Sequence, residues 1–255
     1  MSVMRNKSFF IIVLLIFLVI YSAYVFYLNF NIDNYSDIVV ATTFFFTLFS
    51  GFFITRQNDR YSAIADEISN TDGLFSLLYR VAGAVPSVQD KVREALRDHY
   101  QKILDSGDWA YHILHPSTTI TRIFNAYNEA TGDDAERLGQ FGDAFGGAFA
   151  SIQVSRKRMV MLYEEKLLPL HWAIIYILGI LMIASFNFIP AHSLVVNLLK
   201  IVFGVAVLFV VLLLQQLNNL SVFGKDFNKR TANDILRIID EKDMKESESA
   251  KHQGN

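Results

Sequence analysis

Residues 38–55 read IVVATTFFFTLFSGFFIT, 18 consecutive positions without a charge, and the run stops at Arg56. A helix rises about 1.5 Å per residue, so about 20 apolar residues cross the hydrocarbon core of a bilayer. Backbone N–H and C=O groups find no water there and must bond within the segment, so the stretch reads as a transmembrane helix. Three other stretches resemble it. Phe9–Phe30 has 22 residues and no charge. Leu170–Ile189 carries only His171 near its edge, and Leu194–Leu217 carries only Lys200.

The composition agrees once its distribution is considered. The 255 residues are 52% hydrophobic and 19% charged, with the apolar residues gathered in two pairs of runs and the charges between and after them. That excludes an ordinary soluble enzyme and a disordered chain. The net charge is −2 and the densest basic cluster is Arg156-Lys157-Arg158, so no nucleic-acid surface is expected. Cysteine is absent, which removes disulfides, thiolate metal sites and thiol nucleophiles. Arg5, Lys7 and Tyr21-Ser22-Ala23 give the N-terminus the layout of a signal peptide. The 22-residue apolar run exceeds the about 7–15 residues of a secretory core, so it reads as an uncleaved anchor.

Orientation follows the basic residues that flank short links. Arg5 and Lys7 precede the first run, Arg56 and Arg60 follow the second, Lys166 precedes the third, and Lys225, Lys229 and Arg230 follow the fourth. The links Asn31–Asp37 and Pro190–Ser193 contain no Lys or Arg. The expected protein is multi-pass in the bacterial inner (plasma) membrane, with both termini cytoplasmic.

Residues 57–167 hold 12 Lys/Arg and 16 Asp/Glu and read as a water-facing helical domain. Ile64, Ile68, Leu74, Leu77 and Val81 form a helical stripe, with Thr71-Asp72-Gly73 a candidate interruption. Pro86-Ser87 opens a second helix carrying Val88, Val92, Leu96, Ile103 and Leu104, and Thr118–Ala130 is a third. Thr131-Gly132-Asp133-Asp134 is a turn and cap signal, after which one helix is expected from about Asp134 towards Leu168. After the fourth run, Phe227, Ile235, Ile238 and Ile239 mark a short amphipathic helix that packs on the domain or lies on the membrane. The tail beyond Asp240 is polar and reads as disordered.

The expected fold class is therefore all-α: an integral membrane protein with four transmembrane helices and a helical cytoplasmic domain between spans two and three. The boundaries are an N-terminal membrane pair at 1–56 (spans 9–30 and 38–55) and the cytoplasmic domain at 57–167. A C-terminal membrane pair follows at 168–220 (spans 170–189 and 194–217), then the tail at 221–255.

Several features bear on function. At about 100° per residue, Phe45, Phe49 and Phe52 share one face of span two, and Thr43, Thr47 and Ser50 lie opposite. Either one face lines a pore, with Thr43, Thr47 and Ser50 candidates beside a Phe constriction that gates by dewetting, or the Ser/Thr face packs on a neighbouring helix while Phe meets lipid. Ser193, Asn197, Lys200 and Gly204 make a polar stripe on span four. Lys200 there snorkels, pairs with an acidic group of the first outer link, or forms an anion-attracting outer mouth. His112 and His115 near Asp105 and Asp108 are a weak metal pattern without a second half, so no metal site and no cofactor are expected. Gly139, Gly142, Gly146 and Ala150 recur at helical spacing and suggest close helix approach. No catalytic constellation is present, so the protein is not expected to be an enzyme.

The order of parts resembles the bestrophin-like membrane proteins, and most closely their small bestrophin-like domain family. Four stretches carry the resemblance: Phe52–Tyr61 (FFITRQNDRY), Glu67–Arg80 (EISNTDGLFSLLYR), Asp108-Trp109, and Arg156–Trp172 with its basic, Glu, Leu-Pro and Trp residues. Leu217–Phe227 is similar more loosely. The resemblance implies a homo-oligomeric, pentameric ion channel that conducts inorganic ions passively. Phe45, Phe49 and Phe52 would then form the neck and Arg56 and Arg60 the inner mouth, with Asn197 and Lys200 the outer polar stripe that the spacing of span four gives. The acidic cluster that channel bestrophins carry after their fourth helix is missing here, where Asp226 stands beside Lys225, so calcium gating is not implied. The alternative is a non-conducting membrane scaffold or sensor whose cytoplasmic helices bind a protein partner.

Overall fold

The computed structural model describes residues 15–23, 25, 35–106, 110, 118–190, 193–221 and 230–240. Among these residues every regular element is a helix. In chain order they are α1 (15–23), α2 (Tyr35–Ala82), α3 (Pro86–Ser106), α4 (Thr118–Asn128), α5 (Asp133–Gly139), α6 (Gly142–Glu164), α7 (Pro169–Asn187), α8 (Leu194–Asn218) and α9 (230–240). Three of them, α2, α7 and α8, are long and apolar enough to cross a membrane. Most of the expected first span lies outside the described residues.

The chain forms two compact units. One comprises Met1–Tyr61 and Lys166–Val222, the other Ser62–Glu165 and Phe223–Asn255.

In the first unit, α7 and α8 form an antiparallel pair whose ends are set by local chemistry. Leu168 is extended and Pro169 opens α7, where its missing N–H leaves no donor unsatisfied. His171 Nδ1 accepts the Leu168 N–H at 3.3 Å. Ser193 Oγ accepts the Val196 N–H at 3.4 Å and starts α8. Phe46 packs with Met182, Phe186 and Val207, and Phe53 packs with Leu167, Ile175 and Leu214. In a bilayer such contacts stabilise by dispersion and fit, because lipid tails are as apolar as the side chains.

The far end of α8 is a Schellman motif. The Ser221 N–H bonds to Gln216 O at 3.0 Å and the Leu220 N–H to Leu217 O at 3.0 Å. Leu220 takes the left-handed position with φ 53°, where glycine is usual, and its side chain is buried.

The second unit has its own core. Phe75, Leu78, Tyr79 and Ala82 of α2 meet Val88, Val92, Ala95, Leu96 and Ile103 of α3, and Ile120, Ile123 and Ala126 of α4 pack onto them. Burying each large apolar side chain from water is worth about 1.5–3 kcal/mol, and this fixes the helical periods. The amphipathic segment after the fourth run packs on this core: Ala232, Ile235 and Ile239 are buried in it, and the Tyr79 hydroxyl donates to Ile239 O at 3.5 Å. Arg97 pairs with Asp240 at its end.

Two expectations are corrected. Thr71-Asp72-Gly73 does not interrupt α2. The Thr71 hydroxyl donates back to Glu67 O at 2.8 Å, and the flanking Ile68 and Phe75 are buried, so packing outweighs the roughly 1 kcal/mol cost of a mid-helix glycine. Conversely, no single helix runs from Asp134 towards Leu168. The Tyr127 hydroxyl donates to Leu138 O at 2.6 Å, and the Phe141 N–H bonds to the same carbonyl at 2.9 Å. A continuous helix would offer that carbonyl to residue 142, so α5 closes and α6 starts afresh. Before α5, Gly132 stands at φ 60°, a turn conformation that favours glycine.

Candidate functional site

The Phe-rich part of α2 divides between two environments. Phe46 and Phe53 are 4% and 3% exposed and hold α2 on α7 and α8. Phe44, Phe45, Leu48 and Phe52 are exposed, Phe52 at 62%. Phe49 is half-buried, its ring 6.3 Å from that of Phe53. The three expected neck phenylalanines thus lie on or beside an uncovered face of the chain. The Ser/Thr set does not act as one face. Ser50 is buried and donates to Thr47 O at 3.3 Å, Thr47 is exposed, and Thr43 is half-buried. The polar contact that joins α2 to α7 comes from Thr42, whose hydroxyl lies 2.9 Å from Ser185 Oγ. The helical wheel shows Thr42 as one more small polar residue, and only its partner distinguishes it.

The two arginines after the apolar run also diverge. Arg56 is exposed. Arg60 is 4% exposed, and its Nη1 donates to Gln57 Oε1 at 2.9 Å and to Asn218 O at 3.0 Å. Asn218 Oδ1 in turn accepts the Leu167 N–H at 2.7 Å. Arg60 therefore joins α2, the end of α8 and the residues leading into α7.

Lys200 is 2% exposed, with Nζ 3.5 Å from Asn187 O. Asn187 Nδ2 donates to Ile183 O at 2.8 Å and to the Tyr21 hydroxyl at 3.5 Å. Asp37 is exposed and Asp33 lies outside the described residues. Asn197, on the same stripe, is half-buried. Gly204 sits directly under Tyr21: a Cβ there would fall 2.2 Å from Tyr21 Cε1. The stripe on α8 is thus a packing seam for α1 and α7, built around one buried lysine.

The second unit contains a cluster that sequence spacing does not reveal. The Tyr100 hydroxyl donates to Asp72 Oδ1 at 2.6 Å, and His99, Phe75 and Arg156 stand around the same cavity. Burial pushes the Asp72 carboxyl up to about 6, against the lowering effect of the Tyr100 hydrogen bond. Burial and the neighbouring carboxylate push the Tyr100 hydroxyl well above its usual value. Beside this cluster, Glu67 pairs with Arg158 at 2.9 Å and accepts from Ser155.

Gly139, the last residue of α5, and the glycines of α6 do not mark close helix approach among the described residues. A Cβ at Gly139, Gly142, Gly146 or Gly147 would meet nothing within 4 Å, while Phe145, Ala148 and Ile152 on another side enter the core. His112, His115 and Asp108-Trp109 lie outside the described residues. Among the described residues no group of three or more His, Asp or Glu is placed to hold a metal ion.

A family model described as the bestrophin-like domain matches residues 10–220. The chain belongs to the bestrophin-like domain family. The bestrophin-like region takes in the Phe-rich segment, the Arg60–Asn218 junction and the Asp72 cluster, and it ends at Leu220, before α9. Three of its helices are apolar enough to cross a bilayer, which makes this a bestrophin-like membrane protein. No curated protein and no solved structure matches the chain.

Proposed function

We propose that the protein is a homo-oligomeric ion channel, with the exposed Phe face of α2 turned towards a shared axis. The observation that supports this most is the division of the α2 phenylalanines. Phe46 and Phe53 complete the protomer, while Phe45 and Phe52 remain uncovered beside Phe49. A ring of such side chains makes an apolar constriction that passes ions when wetted and stops them when dry. Arg56 lies one turn beyond Phe52 and stands at the inner mouth in this reading. Membership of the bestrophin-like domain family supports the same conclusion.

The reading includes four transmembrane helices, both termini in the cytoplasm of a bacterial inner membrane, a pentameric ring, inorganic ions as the transported species and no enzymatic activity. Purified protein in planar bilayers should carry current and should run as an oligomer in detergent. A monomeric mass with no conductance would overturn the proposal, and specific capture of a protein partner by such a silent monomer would favour the scaffold alternative. Phe49→Ala should alter conductance or gating, and an unchanged channel would remove Phe49 from the neck.

A further inference from the structure

We propose that Asp72 is a proton-binding site: a carboxylate on α2 that faces a small cavity, held by Tyr100 and flanked by His99 and Arg156, and that takes up a proton as the surrounding solution acidifies.

The geometry leaves the carboxylate anion poorly served. An ionised carboxylate offers about four acceptor positions. Tyr100, itself 1% exposed, fills one of them through Oδ1 at 2.6 Å. Asp72 Oδ2 is shut off from solvent and has no hydrogen-bond partner among the described residues. The cavity has a volume of about 30 Å³, with Ile68, Phe75, Ile120 and Ile152 supplying apolar walls. A water needs about 10–15 Å³ of such space, so there is room for about two, and Asp72 as a whole is half-buried. An anion in these surroundings is disfavoured against the neutral acid.

The charged and titratable neighbours do not cancel that cost. From α3 come His99 and Tyr100, and from α6 comes Arg156, which lines the cavity and makes no ion pair with Asp72. Ser155 and Arg158 of α6 are engaged with Glu67, one turn earlier on α2. Thr71 Oγ1 donates to Glu67 O at 2.8 Å and lies 3.2 Å from Ser155 Oγ. From α4 the wall is Ile120, which carries no charge. Burial accordingly raises the Asp72 carboxyl to about 6, clear of solvated carboxylates near 4. Its charge therefore changes in a range where most other carboxylates are already ionised.

Infrared titration of the full-length protein in detergent micelles tests this, with the protonated-carboxyl stretch as the readout. The wild type should retain such a band above about pH 5, where solvated carboxylates have lost theirs, and lose it with a midpoint near 6. Asp72→Asn should lack that band. Tyr100→Phe should keep it and move its midpoint upward, because the hydrogen bond that favours the anion is gone. A wild type with no band above about pH 5 would overturn the assignment, as would a band that survives in Asp72→Asn. If Asp72→Asn does not fold, Tyr100→Phe decides alone, and an unmoved midpoint overturns the proposal.

Discussion

Arg60 Nη1 donates to the main-chain carbonyl of Asn218 across 3.0 Å. Asn218 is the last residue of α8, so its carbonyl has no partner within the helix. The guanidinium fills that place and sets a positive charge against the negative end of the helix dipole. Removing it strands a buried carbonyl and frees Gln57. Arg60→Ala should lower the unfolding free energy by about 2–3 kcal/mol, in line with hydrogen bonds to charged groups. Arg60→Lys should recover part of this. Thermal unfolding in detergent measures both, and a neutral Arg60→Ala would mean that the contact contributes nothing.

Phe52 and Phe53 are adjacent, with ring centroids 5.5 Å apart, yet they answer to different constraints. Phe53 is packed among Leu167, Ile175 and Leu214. Phe53→Ala should cost about 3 kcal/mol or more through the cavity it leaves. Phe52→Ala should leave protomer stability within about 0.5 kcal/mol, as exposed substitutions do, and change conductance if the Phe face lines a pore. Unfolding curves and single-channel recordings on the pair separate the two roles.

Gly204 and Tyr21 make a close helix approach in the first unit. A Cβ at Gly204 would fall 2.2 Å from Tyr21 Cε1 and 2.8 Å from both Cδ1 and Cζ. The ring is rigid and must move as a whole. Gly204→Ala should therefore destabilise by about 1–3 kcal/mol, the usual range for overpacking. Shortening the partner in a Tyr21→Ala, Gly204→Ala double variant should recover most of this, and strictly additive losses would mean that the two do not touch.

Asp72 sets a pH dependence with a definite sign. Its carboxyl is raised from 3.8 to about 6 in the folded chain. Below about pH 4 both folded and unfolded chains hold the proton, and the group costs nothing. Between about pH 4 and 6 the unfolded chain ionises first, so folded stability falls, and above about 6 the loss is complete. At about 1.4 kcal/mol per unit the full effect is about 3 kcal/mol. Asp72→Asn keeps an acceptor for Tyr100 and removes the titration. After the cost of an unpaired amide, it should be about 1–2 kcal/mol more stable than wild type near pH 7, with the advantage gone near pH 4. Denaturant unfolding at the two pH values checks both the size and the sign.

How far the fold was legible depends on the kind of information each feature carries. The apolar part of α2 is marked by 18 uncharged positions closed by Arg56, a one-dimensional signal. The start of α3 is equally plain, with Pro86 opening it, while its close is not, since both the polar run at 105–108 and Pro116 could end it. The continuity of α2 through Gly73 is not plain, because a local breaker is overridden by the burial of Ile68 and Phe75. The break between α5 and α6 depends on Tyr127 reaching Leu138 O, a contact invisible in spacing. Among the site residues, the helical wheel places Phe45, Phe49 and Phe52 together. It does not tell an exposed Arg56 from a buried Arg60. That distinction belongs to the partner helix. Asp72 reads as a turn residue until Tyr100 and the cavity surround it.

Lys200 has a consequence for how the chain enters a membrane. A lysine within an inserting apolar helix carries a penalty of about 2.5–3.5 kcal/mol. Its acceptor in the folded protein is the Asn187 carbonyl at the end of α7. If α8 entered lipid alone, that ammonium would face hydrocarbon with no acceptor beyond its own turn. If α7 and α8 enter as a paired hairpin, the acceptor arrives with it. Biogenesis of the C-terminal half should therefore be a two-helix event, with Asn187 and Lys200 crossing the insertion machinery as one unit.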